Sequence, residues 1–93
     1  MTAFDKEKYA DVPSIGLAMI VRDEEDNAAR AINSAAPICR QVVVVDTGSE
    51  DKTPAICSSL CAELYFKKWH DDFAEARNFA LNCMRTDWII VLD

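Results

Sequence analysis

Positive charge is scarce in this chain: 10 Lys and Arg stand against 16 Asp and Glu, a net charge of −6. The basic residues are scattered, and only Lys67 and Lys68 are adjacent. Bulk attraction to nucleic-acid phosphates is therefore excluded as a basis for function. Glycine is scarcer still. Neither Gly16 nor Gly48 sits in a G-x-x-x-x-G-K-[ST] or G-x-G-x-x-G pattern. That excludes the phosphate loop and the dinucleotide fingerprint. With only 2 Gly and 3 Pro, the chain does not read as disordered or low-complexity. No internal repeat is visible.

Long apolar runs are missing too. Nothing approaches the roughly 20 residues of a membrane span. Residues 1–12 are polar and lack the apolar core of a signal peptide, so a cytoplasmic location is expected. The four cysteines, Cys39, Cys57, Cys61 and Cys83, form no C-x-x-C pair. Cys57 and Cys61 share a helix face at i and i+4, and with the single histidine, His70, they could be drawn as a metal site. The expectation is plainer: buried free thiols in a reducing compartment, and a solvated loop histidine.

What is present is a small globular composition, 51% hydrophobic and 28% charged in 93 residues. That fits one domain, and a domain this short buries only about 60% of its unfolded surface. Residues 1–13 read as a polar tail and residues 14–93 as the domain. Four apolar runs, at 15–21, 41–45, 62–66 and 88–92, lack the alternation of half-exposed strands. Such runs predict strands covered on both faces, as in parallel sheets.

Three helical patterns separate them. The first spans residues 27–36, with Glu24, Glu25 and Asp26 at its positive end and Pro37 as its stop. The second follows Thr53, a predicted N-cap, with Pro54 at the first helical position. The third starts at Asp72, three residues before Glu75, an acidic variant of the capping box. Its apolar stripe is Phe73, Ala76, Ala80, Cys83 and Met84. The order β-α-β-α-β-α-β predicts a Rossmann-like, doubly wound α/β sheet with spatial order 3-2-1-4. Ligands of such sheets bind beyond the carboxyl ends of the strands, at the switch point. There the ends of strand one (Arg22, Asp23, Glu24), strand two (Asp46) and strand four (Asp93) would meet.

The run Val42-Val43-Val44-Val45-Asp46 carries a carboxylate to that rim. Asp46 could accept from a nucleobase imide or a ribose hydroxyl, or it could cap its own Asp-Thr-Gly turn. Arg77, flanked by the small Ala74, Ala76 and Ala80, could reach a planar or phosphate group with its bidentate fork, or pair with a nearby acid at the surface. Asp93 ends strand four as Asp46 ends strand two.

These pieces together resemble the nucleotide-binding half of a family 2 glycosyltransferase with the GT-A fold. The resemblance rests on Ile20-Val21-Arg22-Asp23-Glu24-Glu25, Val44-Val45-Asp46-Thr47-Gly48-Ser49 with Asp51 and Thr53, Trp69 with Asp71-Asp72-Phe73, Ala76-Arg77-Asn78, and Trp88-Ile89-Ile90-Val91-Leu92-Asp93. It implies sugar transfer from a nucleotide-sugar donor to an acceptor, with a divalent cation, Mg or Mn. It implies donor-nucleotide contacts from Val21, Arg22, Asp23, Glu24, Asp46, Arg77 and Asp93, with Asp93 as the first Asp of a D-x-D metal motif. Many members carry Asn where this chain has Asp23. The resemblance implies that the segment ends at this motif, that it holds no catalytic residue of its own, and that alone it binds donor without turning it over. An inverting transfer also needs a base on the acceptor hydroxyl. A flank left open beside strand four would favour pairing with a second copy. Two other readings share the sheet. One is a stand-alone flavodoxin-like module, such as a receiver domain, which would end on a helix and use a C-terminal Lys. The other is a nucleotidyltransferase, which would carry a Gly-rich loop where residues 22–27 have no Gly.

Overall fold

The computed structural model describes residues 12–60, 62–69 and 73–92, apart from the side chain of Phe73. Four parallel strands, β1 (Ile15–Val21), β2 (Gln41–Asp46), β3 (Glu63–Phe66) and β4 (Trp88–Leu92), form one sheet in the order β3-β2-β1-β4. This is the predicted topology. Helices α1 (Ala28–Ala35) and α2 (Thr53–Ser59) pack on one face, and α3 (Phe73–Asn82) packs on the other.

The alternation of side chains along a strand sorts the core into two layers. Leu17, Met19, Val21 and Val44 face α1 and α2, where they meet Ala28, Ile32, Ala35 and Cys57. Ala18, Ile20, Val43 and Val45 face α3 and meet Ala76 and Ala80. Val43, Val44 and Val45 are fully buried. Burial of each contributes roughly 1.5 kcal/mol or more. The small residues at 76 and 80 let α3 lie close to the sheet. Gly16 serves a similar approach from the side: a Cβ there would stand 2.6 Å from the Thr86 hydroxyl and 2.7 Å from the Met84 sulfur.

Several element boundaries move. α1 ends at Ala35, and Pro37 sits in a short 3-10 turn at Ala36–Ile38 rather than simply stopping the helix. The acidic residues expected in its first turn precede it; instead the Glu24 carbonyl accepts from the amides of Asn27 and Ala28. β2 runs one residue further than predicted and includes Asp46. β3 begins at Glu63, because the Ala62 amide still bonds back to the Cys57 carbonyl. The predicted start of α3 at Asp72 lies outside the described residues, as do Cys61, His70 and Asp93.

Strand four departs most from expectation. An apolar run predicted cover on both faces, yet Trp88 is 67% exposed, and Ile89 and Val91 are 36% and 38% exposed. β4 is an edge strand, and α3 packs over β1 and β2 instead. Only Ile90 and Leu92, on the α1 side, join the core. Apolar composition reports a strand's preference for the sheet, not what lies above it.

Candidate functional site

The carboxyl ends of β1 and β2 lie side by side, with Val21 and Asp46 as register partners. Past them the chain makes two loops that grip each other. The Thr47 amide and hydroxyl both donate to the Val21 carbonyl, at 3.1 and 3.3 Å. The Asp23 amide donates to the Ser49 hydroxyl at 2.9 Å, and the Glu50 amide returns to Asp23 Oδ1 at 2.7 Å. The Glu24 amide donates to Thr53 Oγ1 at 2.8 Å, and the Glu25 amide to Asp51 Oδ2 at 3.2 Å. The Lys52 amide closes the series on Glu25 Oε2 at 3.1 Å.

Asp46 does two things at once. Its Oδ1 accepts from the amides of Gly48 and Ser49 at 2.8 and 2.7 Å, the turn-capping arrangement its Asp-Thr-Gly context allowed. Its Oδ2 is buried and has no hydrogen-bond partner. The residue is 1% exposed. Buried polar atoms in folded proteins are nearly always paired, so an unpaired carboxylate oxygen at the ligand edge of a sheet marks the place. Gly48 takes φ +126°, which an L side chain rarely adopts, and so completes the turn.

Asp23 is the other strained residue, at φ 52° in the left-handed region. Asp and Asn tolerate that region better than most residues. Its role as acceptor for the Glu50 amide needs only Oδ1, which an Asn also carries. The Asn-to-Asp departure is therefore conservative in both conformation and bonding.

The remaining predicted residues divide. Val21 is buried, and Arg22, Asp23 and Glu24 are exposed on the first loop, next to Asp46. Arg77 follows the buried Ala76 near the start of α3, on the opposite side of the sheet from α1 and α2, and is half-buried. Asp93 is outside the described residues. Sequence reading underrated Thr53 and Asp51. Thr53 is the first residue of α2 rather than its cap, is fully buried, and donates its hydroxyl to Asp51 Oδ1 while its amide donates to the same oxygen. The Asp-x-Thr spacing was the available signal. Burial pulls the Asp51 carboxyl up, but hydrogen bonds from the Thr53 hydroxyl and amide and from the Glu25 amide outweigh it, and the net shift is down.

Lys67 ties the third strand in: its amide donates to the Asp46 carbonyl at 2.9 Å, and its ammonium pairs with Glu75 of α3 at 3.3 Å. Among the described residues, no group of three His, Cys, Asp or Glu side chains is placed to hold a metal. Along this edge Asp23, Glu25, Asp46 and Asp51 each accept a backbone amide, and the described carboxylates do not gather into a cation site. Cys39, Cys57 and Cys83 are free thiols, the first two buried. Burial pushes the Cys57 thiol up, and the Asp46 charge pushes it further.

A parallel 3-2-1-4 sheet whose carboxyl edge carries braced loops and a buried carboxylate is a Rossmann-like fold of the GT-A kind. The profile described as "Glycosyl transferase family 2" matches residues 17–93, and the chain belongs to that family. A TPR repeat-containing protein of Synechococcus elongatus is 43% identical over 84 residues, covering 90% of this chain and 21% of that protein. The glycosyltransferase SunS of Bacillus subtilis is 30% identical over 86 residues, covering 90% of this chain and 20% of its own length. The chain thus spans about a fifth of the length of these curated relatives. Among solved structures, glucosyl-3-phosphoglycerate synthase from Mycobacterium tuberculosis, in complex with Mn2+, uridine diphosphate and glucosyl-3-phosphoglycerate, superimposes with a TM-score of 0.76 at 19% identity. The match covers 100% of this chain and 37% of that one, and it is a likeness of fold.

Proposed function

We propose that the carboxyl edge of this sheet binds the nucleotide of a nucleotide-sugar donor, within a longer enzyme that passes the sugar to an acceptor. The observation that carries this reading is Asp46. One oxygen of its buried carboxylate holds the turn, and the other has no hydrogen-bond partner. Leaving such an oxygen unmet costs about 1–3 kcal/mol or more, a cost offset when a ligand N–H or O–H reaches it. A base imide or a ribose hydroxyl supplies that donor. Val21, Arg22, Asp23 and Glu24 form the neighbouring wall, and Arg77 offers its guanidinium to the base or diphosphate.

The family and its relatives support the same reading. SunS is named a glycosyltransferase, and the mycobacterial synthase was solved with uridine diphosphate and Mn2+. Family membership also favours it over the receiver and nucleotidyltransferase readings. The edge is strongly acidic, so an anionic diphosphate there needs a countercharge. We assign a divalent cation to Asp93; among the described residues no group of three His, Cys, Asp or Glu side chains is placed to hold one. We assign no catalytic base to this chain.

Calorimetric titration with the diphosphates of uridine, cytidine, guanosine, adenosine and thymidine, in the presence of Mn2+, tests the proposal. Asp46→Asn keeps an acceptor for the Gly48 and Ser49 amides but turns Oδ2 into a donor. We expect it to weaken the preferred nucleotide about tenfold, the equivalent of one lost hydrogen bond to a charged group, with the chain still folded. Equal affinity in the variant would reduce Asp46 to a turn residue.

A further inference from the structure

The loop that follows β1 has no regular structure and is exposed, yet it forms one wall of the proposed site. Within the described residues, Ser49 and Glu50 hold its backbone at Asp23, and Thr53 and Asp51, at the start of α2, hold it at Glu24 and Glu25. Glu24 is gripped at both its backbone amide and its backbone carbonyl. Its carbonyl accepts from Asn27 and Ala28 and so starts α1, while its amide donates to Thr53 Oγ1.

The direction of that second bond is fixed from behind. An ionised carboxylate only accepts, so the Thr53 hydroxyl must point its single proton at Asp51 Oδ1. Its lone pairs then face the Glu24 amide. Asp51 also takes the Glu25 amide directly on its other oxygen. A carboxylate, a hydroxyl and two consecutive amides therefore form a relay from the second loop into the first. It is anchored by a threonine that is 0% exposed.

We propose that Asp51 and Thr53 are positioning residues for the donor nucleotide: they touch no ligand themselves but set the backbone of Glu24 and Glu25, part of the wall against which the nucleoside rests. This rests on the donor-edge reading above and adds to it the pair that makes the edge rigid. The relay also joins the first turn of α2 to the Glu24 carbonyl that receives the first amides leading into α1.

The test separates the relay from the site it serves. Thr53→Val is close to isosteric and removes only the hydroxyl; Thr53→Ser returns it. Amide hydrogen exchange at Glu24 and Glu25, followed by NMR on the full chain, reads the relay. Titration with the same five nucleoside diphosphates and Mn2+ reads the site. We expect Thr53→Val to speed exchange at Glu24 about tenfold and to weaken the bound nucleotide about fivefold, as the loss of one buried hydrogen bond predicts. Thr53→Ser should restore both to within about twofold of the parent, since it re-forms that bond. Unchanged exchange at Glu24 in Thr53→Val would overturn the relay. Faster exchange with unchanged affinity would overturn its positioning role. If the parent chain binds none of the five nucleotides, the donor reading fails and the positioning role with it, while the exchange data still decide the relay. Should Thr53→Val fail to fold, Asp51→Asn replaces it. Its amide would set a donor against the Glu25 N–H, and both readouts should move in the same direction.

Discussion

The two ends of the sheet are fastened by the same kind of bond and left in different states. At the amino end, Gln41 is buried to 7% exposure. Its amide donates to Glu63 at 2.8 Å and to the Cys83 carbonyl at 2.9 Å, and its carbonyl accepts from the Arg85 amide. Beside it, Asp87 Oδ2 takes the amide and hydroxyl of Ser14, whose hydroxyl oxygen accepts the Asp87 amide in return. Both polar ends of the Gln41 side chain are paired, and Ser14 and Asp87 bond each other in both directions. At the carboxyl end, the braces are as dense, but a left-handed Asp23, a glycine at φ +126° and an unmet Asp46 oxygen sit among them. Among the described residues, strain and the unmet Asp46 oxygen gather at the carboxyl end. Proteins often concentrate such costs where a ligand is to be met, so the contrast between a closed fastening and an unmet edge supports the donor site proposed above.

The contrast breaks most visibly at Gln41. Gln41→Ala should orphan the Arg85 amide and the Cys83 carbonyl, at a cost of about 2 kcal/mol, while nucleotide affinity stays unchanged. Urea unfolding and calorimetry read the two quantities separately. A parallel loss of affinity would mean that the ends are coupled and the contrast is false.

Gly48→Ala is the converse change. No atom lies within 4 Å of the added methyl, so the effect is purely the backbone's. We expect about 1–2 kcal/mol of lost stability, from forcing an L residue to positive φ, together with weakened nucleotide binding. A stable variant with parental affinity would show that the turn tolerates a change of shape.

The smallest difference concerns acid. Hydrogen bonds from the Ser14 amide and hydroxyl hold the Asp87 carboxyl below its ordinary 3.8, and those to Asp51 do the same at the other end. A depressed carboxyl adds stability that is present above its unfolded value and is lost as pH falls through its folded one. Melting temperature should therefore hold at neutral pH and fall below about pH 4, with both ends contributing. Asp51→Asn and Asp87→Asn should each flatten that fall. If only one does, acid opens the sheet from that end.

How far the sequence carried depends on how local each signal was. Strand order followed from buried runs and crossover handedness, both features of short segments. Asp46 was legible because a carboxylate closing a valine run is conspicuous. The relay was not, because Glu24 and Thr53 are 29 residues apart and meet only once two parallel strands have aligned their loops. Thr53 looked like a helix cap because local chemistry gave its hydroxyl that use, and the fold gave it another. Gln41 passed as the edge of an apolar run for the same reason. Exposure of β4 was invisible because an apolar pattern does not say whether a helix will cover it. Asp23 needed its dihedral before its identity made sense.

The buried thiols give this two-ended design a clock. Cys39 lies just before β2, at the closed end, and Cys57 lies on α2 beneath the unmet one. Burial pushes both thiols up, which disfavours the thiolate that an alkylating reagent attacks while the cover stays shut. Labelling of each cysteine under native conditions then counts the moments when its own end swings open. The ratio of the two rates is a direct measure of how unevenly the molecule breathes.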